Sequence, residues 1–422
     1  MKKLLALLLT GCLLVALLSG CAGGKDAPSS DSSDTEQPTE VPTESSKDTE
    51  TTTESTEETK LWKVAMITDY GDITDESFNQ TTYEAGKAWC EAQGIDFKYY
   101  KPVADSTADR IAQIDAAVAD GYNVLLLPGF AFAGAIVESQ DVYTDVYFIA
   151  LDVSEWDLED SFYSHDTDGN RLELIDPNNE PHVADNVYCA VYQEELAGYM
   201  AGYAAVKLGY KHLGFLGGMA VPAVIRYGYG FVQGCNSAAV ELGIEKDVTV
   251  EYVYGNQFYG DADITAYMDT WYQTKGVEIV FVAGGSIHIS ACEAAAKTNG
   301  KIIGVDVDQA ASIDSAYGEG MTVSSAMKGL AATVYSALDD LILNDNWAAY
   351  GGKVATLGLV SEDPEQNYVQ IAPSTQFEEG KFTEDDYLAL VAKLYKGEII
   401  VSNDTGNAPE VEISVNYAGN IK

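Results

Sequence analysis

The chain has 422 residues, with 66 Asp and Glu against 24 Lys and Arg, a formal net charge of −42. Nucleic acid and anionic lipid are not expected partners, since both demand clustered Lys and Arg; acidity of this degree serves solubility. Cys90, Cys189, Cys235 and Cys292 lie far apart without the CxxC grouping of a metal site, so a disulfide and a small buried hydrophobe are both open to them.

Lys2 and Lys3 precede a nearly unbroken apolar run over residues 4–18. Its length and flanks make it a signal-peptide h-region, not a membrane span. The run ends in Leu18-Ser19-Gly20-Cys21, the lipobox pattern of bacterial lipoproteins, in which the Cys becomes the lipid-bearing mature N-terminus. Cutting at the similar Leu9-Thr10-Gly11-Cys12 would leave too little apolar sequence before it. Residues 1–20 are therefore expected to be a signal peptide, and residues 21–60 a lipidated Cys21 followed by a tether. Ser, Thr, Glu, Asp and Pro dominate that tether, which cannot bury enough apolar surface to offset the entropy of ordering it. A disordered, self-repelling linker on the extracytoplasmic face of the membrane follows.

Roughly 360 residues remain, enough for two lobes of ordinary domain size. Strand patterns at residues 62–68, 97–100, 124–127 and 146–151 alternate with helical spacing at 78–93, 107–120 and 131–140. A second series places strands at 187–191, 213–216, 248–254, 279–283 and 302–305. Its helices fall at 194–207, 228–242, 262–274 and 289–299. Such alternation implies an α/β fold of two Rossmann-like lobes, each a parallel sheet covered on both faces. The series meet near Asp185, giving a first lobe over residues 61–184 and a second over 185–307. Ligands of open α/β sheets bind off the carboxyl ends of strands, so the loops there are the first candidates for a site.

Residues 154–181 interrupt the first lobe with an acidic, turn-rich insertion. Asp166-Thr167-Asp168-Gly169-Asn170 has part of the spacing of a calcium loop, but the third ligand and the closing Glu are missing, which favours a solvated surface segment. No resident metal or cofactor is expected.

The run Ile67-Thr68-Asp69-Tyr70-Gly71-Asp72-Ile73-Thr74-Asp75-Glu76-Ser77-Phe78-Asn79-Gln80 resembles the opening signature of the basic membrane protein family. These are lipoprotein substrate-binding components of ABC transporters, related to purine-nucleoside-binding lipoproteins. Gly217-Gly218-Met219, Val221-Pro222 with Arg226-Tyr227, Ala283-Gly284-Gly285, Ile303-Gly304-Val305-Asp306-Val307-Asp308-Gln309 and Lys328 continue the match in order. The resemblance spans about residues 63–330 and fades after about residue 345.

It implies a type I periplasmic-binding architecture with three interlobe crossovers. Residues 308–422 are then expected to return to the first lobe and to supply C-terminal segments shared between lobes. It also implies a purine held between aromatic rings from opposite lobes, here Tyr70 and Phe258, because a flat base gains large contact at little entropy cost. Phe78 is a further candidate contact, though its place in the first turn of a helix suits a core residue better. Asn79 offers both an amide donor and an acceptor to a base edge. Asp152 matches a position facing the base, and Asp306 one that accepts ribose hydroxyls in charge-assisted bonds. Lys328 would reach into the cleft, although a Lys on an amphipathic helix is ordinarily solvated. Gly284 and Gly285 permit close backbone approach, and Asp69 orients the first loop, takes a sugar hydroxyl, or caps a helix. The tyrosine-rich run Arg226-Tyr227-Gly228-Tyr229-Gly230-Phe231, where many relatives carry Phe, suggests a more polar cleft.

The resulting expectation is an importer's solute-binding lipoprotein that captures a purine nucleoside between its lobes and delivers it to an ABC permease and ATPase. A binder of sugars or other polar solutes, or a sensing lipoprotein, is the alternative. A secreted enzyme fits less well, because no GxSxG elbow, HExxH helix or phosphate-cradling loop occurs.

Overall fold

The computed structural model describes residues 61–422; the expected signal peptide, Cys21 and tether lie outside the described residues. The first lobe begins with β1 (Lys63–Ile67), α1 (Phe78–Gln93), β2 (Asp96–Tyr100) and α2 (Thr107–Ala119). It continues through β3 (Val124–Pro128), α3 (Ala133–Ser139) and β4 (Tyr147–Leu151). The insertion folds as α4 (Glu155–Asp160) and a hairpin of β5 (Tyr163–His165) and β6 (Arg171–Leu174). Next come β7 (Val187–Tyr192), α5 (Glu194–Lys207), β8 (His212–Gly217), α6 (Pro222–Leu242) and β9 (Thr249–Tyr254). The second lobe goes on with α7 (Ala262–Asp269), β10 (Ile279–Ala283), α8 (His288–Ala295), β11 (Lys301–Asp306), α9 (Ala310–Tyr317) and β12 (Thr322–Lys328). The chain closes with α10 (Leu330–Leu338), β13 (Lys353–Leu357), β14 (Val369–Ile371), α11 (Glu384–Tyr395) and β15 (Ser414–Asn420).

Two sheets result. The first, ordered β13-β7-β4-β3-β1-β2, is parallel throughout. The second, ordered β14-β12-β11-β10-β8-β9-β15, is parallel except for β14. The central strands are continuous apolar runs, as parallel strands covered on both faces are. In β1, Val64 and Met66 pack on one face while Ala65 and Ile67 pack on the other. In β10, Ile279 and Phe281 divide from Val280 and Val282 in the same way.

The boundaries depart from expectation in three places. Strand β7, placed by its pattern at the start of the second lobe, is hydrogen-bonded between β4 and β13 in the first sheet. The first crossover therefore follows Tyr192 rather than Asp185. After Asp308 the chain stays in the second lobe through α9 and β12, and returns only beyond Lys328. Helix α6 starts at Pro222, six residues before the predicted 228, because a Pro at the first turn lacks only an N–H that the helix cannot use there. The crossovers run together: Gln193 N donates to Leu357 O at 2.9 Å, and Gly329 N to Tyr368 O at 2.7 Å. This bundle of chain is where the lobes can hinge.

Helices α5 and α6 pack backbone to backbone. A Cβ at Gly198 or Gly202 of α5 would collide with the carbonyl oxygens of Tyr227 or Phe231. One at Gly230 or Gly234 of α6 would strike those of Glu195 or Tyr199. Two glycines four apart on each helix thus interlock, and only a residue without a side chain allows that approach. The interlock sets the start of α5, Glu194 and Glu195, against Arg226 of α6. All four described cysteines are free and buried. Among the described residues no helix is long and apolar enough to cross a membrane.

Candidate functional site

A cavity of about 530 Å³ opens between the carboxyl ends of the two sheets. Asp69, Tyr70, Phe78, Asn79 and Asp152 line it from the first lobe, and Phe258, Gly284, Gly285, Asp306 and Lys328 from the second. All ten residues singled out from the sequence therefore meet in one place.

The cavity floor is an ion cluster. Lys328 Nζ lies 2.5 Å from Asp152 Oδ2 of the opposite lobe, 3.6 Å from Glu194 Oε1 and 3.7 Å from Asp306 Oδ1. The ammonium also stands over the rings of Phe78, Tyr192 and Tyr227, at 4.7, 5.4 and 5.7 Å from their centroids, a cation–π cage. Glu194 Oε2 accepts from Arg226 Nε at 2.6 Å, and Glu195 Oε2 lies 4.0 Å from the same nitrogen. Ser77 Oγ donates to Asp306 Oδ2 at 2.6 Å, a second bond across the lobes. Burial pulls the Lys328 proton affinity down, but Asp152, Asp306 and Glu194 outweigh it, and Lys328 stays charged with a raised pKa. Burial raises the pKa of Asp306 and of Glu194; Lys328 and Ser77 oppose it at Asp306, Arg226 and Lys328 at Glu194. Burial also lifts Glu195 to about 7.

Asp152 and Asp306 occupy equivalent places, each at the end of a strand and each in the left-handed region, at φ 60° and 66°. That conformation costs a non-glycine residue about 1–2 kcal/mol, less for Asp, whose short side chain tolerates it. It turns both carboxylates into the cleft.

The loop after β1 is organised by two carboxylates. Asp69 Oδ1 accepts from the backbone N–H of Tyr70 at 2.6 Å and of Gly71 at 2.9 Å, so it orients the loop rather than capping a helix. Burial raises its pKa against those bonds. Asp75 caps α1, accepting from the N–H of Ser77, Asn79 and Gln80, each at 3.0 Å. Its Oδ2 also takes the Asn79 amide at 3.2 Å, which aims that side chain. Asn79 Oδ1, Asp152 Oδ1 and the Tyr227 hydroxyl are buried without hydrogen-bond partners in this structure.

Tyr70 and Phe258 face each other across the mouth, with centroids 6.5 Å apart and planes at 41°. The Tyr70 hydroxyl reaches Met219 Sδ of the other lobe at 3.5 Å. Phe258 lies on glycine: a Cβ at Gly218 would collide with its ring, and one at Gly284 would come within 3.1 Å of it. Gly284 thus makes room for the ring as well as for whatever the cavity holds.

Several expectations are revised. Phe78 is a cavity wall beneath the Lys328 ammonium, not only a core residue. Lys328 ends strand β12 and is buried, so the solvated-helix pattern does not apply to it. In the tyrosine-rich run only Arg226 and Tyr227 line the cavity; Tyr229 packs outward on Tyr252 and Tyr417. Asp166, in the insertion hairpin, accepts at Oδ1 from the N–H of Asp168 and Asn170, both at 2.9 Å. Glu194 and Ser77 had not been singled out. An acidic pair opening an otherwise apolar helix directly after a strand was the available signal for Glu194.

Residues 62–405 match the family described as ABC transporter substrate-binding protein, PnrA-like. Basic membrane protein B from Borreliella burgdorferi is 25% identical over 309 residues, 71% of this chain and 79% of the relative. A Lactococcus lactis protein described as an ABC transporter nucleoside-binding protein is 24% identical over 260 residues, 58% of this chain and 64% of the relative. The structure of an ABC transporter solute-binding protein from Conexibacter woesei superposes with a TM-score of 0.58 at 21% identity, covering 81% of this chain and 99% of that one. The fold is thus the type I periplasmic-binding architecture, and the family implies a small-molecule ligand with a permease and ATPase as partners. This chain belongs to the PnrA-like substrate-binding proteins of ABC transporters.

Proposed function

We propose that this protein is a lipid-anchored, extracytoplasmic component of an ABC importer, and that its interlobe cavity captures a purine nucleoside. The observation that carries the ligand class is the chemistry of the floor. Asn79 Oδ1 and Asp152 Oδ1 are buried acceptors without donors, and a buried polar atom left unpaired is costly. Beside them three carboxylates, Asp152, Glu194 and Asp306, outnumber the two cations Lys328 and Arg226. Such a floor favours a neutral ligand rich in hydroxyl and N–H donors and repels a phosphate. Two aromatic rings at the mouth favour a ligand that is also flat, which separates a nucleoside from a simple sugar. The nucleoside-binding description of the Lactococcus lactis relative supports the same reading.

In this account ribose hydroxyls donate to Asp306, and the base edge meets Asn79 and Asp152. The base lies between Tyr70 and Phe258 once their planes have swung parallel. Contacts to both lobes favour the closed form, since only differential affinity shifts such an equilibrium. The lipobox at Cys21 supports the anchor. A thermal-shift screen of purine and pyrimidine nucleosides, free bases, nucleoside 5′-monophosphates and monosaccharides tests the reading. Purine nucleosides should raise Tm and their monophosphates should not. Stabilisation by a sugar alone, with every nucleoside inert, would overturn it.

A further inference from the structure

Strand β15 and Lys422 lie beyond residue 405, where the family match stops. The strand runs parallel to β9 at the edge of the second sheet, with Asn420 in register with Tyr254. Tyr417 packs its ring 5.0 Å from that of Tyr252, and Ile421 N donates to Tyr254 O at 2.8 Å. This pairing carries Lys422 past the end of β9 to Asp261. The Lys422 ammonium makes an ion pair with Asp261 and lies 3.6 Å from Asp263.

Asp261 organises the loop that holds Phe258. Its Oδ1 caps α7 by accepting from the N–H of Asp263 and Ile264, both at 3.0 Å. Its Oδ2 accepts from Gln257 Nε2 at 2.8 Å, and Ser290 Oγ donates to its carbonyl at 3.0 Å. At the other end, Gly255 N and Asn256 N donate to Gly217 O and Gly218 O at 2.8 and 2.9 Å. Asn256 sits at φ 60°, a left-handed position that needs its surroundings to hold it. Phe258 thus hangs between a backbone anchor and an Asp261 anchor, and the second is tied to the C-terminal strand.

We infer that β15 and Lys422 form a strap that positions the Phe258 loop, so that Lys422 and Asp261 are positioning residues for the aromatic wall of the cavity. The inference rests on the reading of Phe258 as a stacking residue, and its test separates the two. Lys422→Ala, Lys422→Arg and a deletion of residues 414–422 are compared with the full chain in amide hydrogen exchange without ligand. In Lys422→Ala, exchange at Asn256 and through residues 257–261 should rise about two- to fivefold, the range of a partly exposed ion pair. Exchange inside β9 and the overall Tm should hold, and Lys422→Arg should restore protection. Unchanged loop exchange in Lys422→Ala overturns the strap, whatever the deletion does to folding. Affinity for guanosine is measured on the same proteins and on Phe258→Ala. If Phe258→Ala binds guanosine as the parent does, or if neither protein binds it, the stacking reading falls, while loop exchange still decides the strap. If Phe258→Ala weakens binding and Lys422→Ala leaves affinity intact, the strap has no part in capture and the inference is overturned.

Discussion

Removing the charge at Lys328 tests the ion cluster most severely. At an effective dielectric of about 20, unit charges at the 2.5, 3.6 and 3.7 Å separations attract by about 4–7 kcal/mol per pair before desolvation. Desolvation costs several kcal/mol per ion, so three attractions outweigh it and the ammonium stays charged. Lys328→Met keeps volume and apolar stem but strands Asp152 and leaves Asp306 with Ser77 and Glu194 with Arg226 as their remaining partners. Breaking one partner of a buried pair costs about 3–5 kcal/mol, and that is the loss expected at pH 8. Asp306 and Glu194, whose pKa values burial already raises, then lose the opposing Lys328 charge and gain further proton affinity over the unfolded chain. Their folded pKa values rise, so the penalty is present above the ordinary carboxylate range and shrinks as the pH falls toward it. Urea unfolding at pH 8 and pH 5 measures both quantities. Adding Asp152→Asn to Lys328→Met should recover part of the loss, because the nearest stranded charge is gone. Equal destabilisation at both pH values, or none, would refute the claim that Lys328 neutralises buried carboxylates.

Asp306→Asn should weaken purine-nucleoside binding by about 2 kcal/mol, roughly thirtyfold, through loss of a charge-assisted acceptor; calorimetry reads it, and an unchanged affinity removes Asp306 from the ligand. Glu195, lifted by burial to about 7, binds its proton more tightly folded than unfolded. Its charging therefore erodes stability as the pH climbs from about 4.5 through 7, by on the order of 3 kcal/mol. Glu195→Gln should raise Tm at pH 8 and leave it unchanged near pH 4; a pH-independent effect would contradict this. Gly202→Ala places a methyl against the Phe231 carbonyl and should cost about 2–3 kcal/mol in urea unfolding, as overpacking does; a neutral result would mean that α5 and α6 are not in backbone contact.

The lobes were legible because doubly covered strands read as short apolar runs between helical periods. Lys63–Ile67 and Ile279–Ala283 are the plainest cases. The crossovers were less legible. Nothing in Val187–Tyr192 says which sheet accepts it; that depends on pairing with β13, which arrives some 160 residues later. The same holds for Lys328, since strand or helix is settled by β11 and β14 on either side of it. All ten candidate residues reached one cavity, but family order, not periodicity, selected most of them. Glu194 escaped because a carboxylate at a helix start is ordinarily a favourable dipole partner. Its buried role depends on Arg226 and Lys328, which the α5–α6 glycine interlock and the second crossover bring to it. The strap was illegible for a similar reason: Lys422 is one charge near a chain end until β15 pairs with β9.

The central claim, that a purine nucleoside fills the interlobe cavity on a donor-demanding, phosphate-repelling floor, is tested most directly by calorimetric titration of the protein with guanosine and with guanosine 5′-monophosphate. Guanosine should bind saturably at one ligand per chain and the monophosphate at least a hundredfold more weakly, a difference of about 3 kcal/mol. Equal binding of the two, or binding of neither while a monosaccharide saturates the protein, would contradict it.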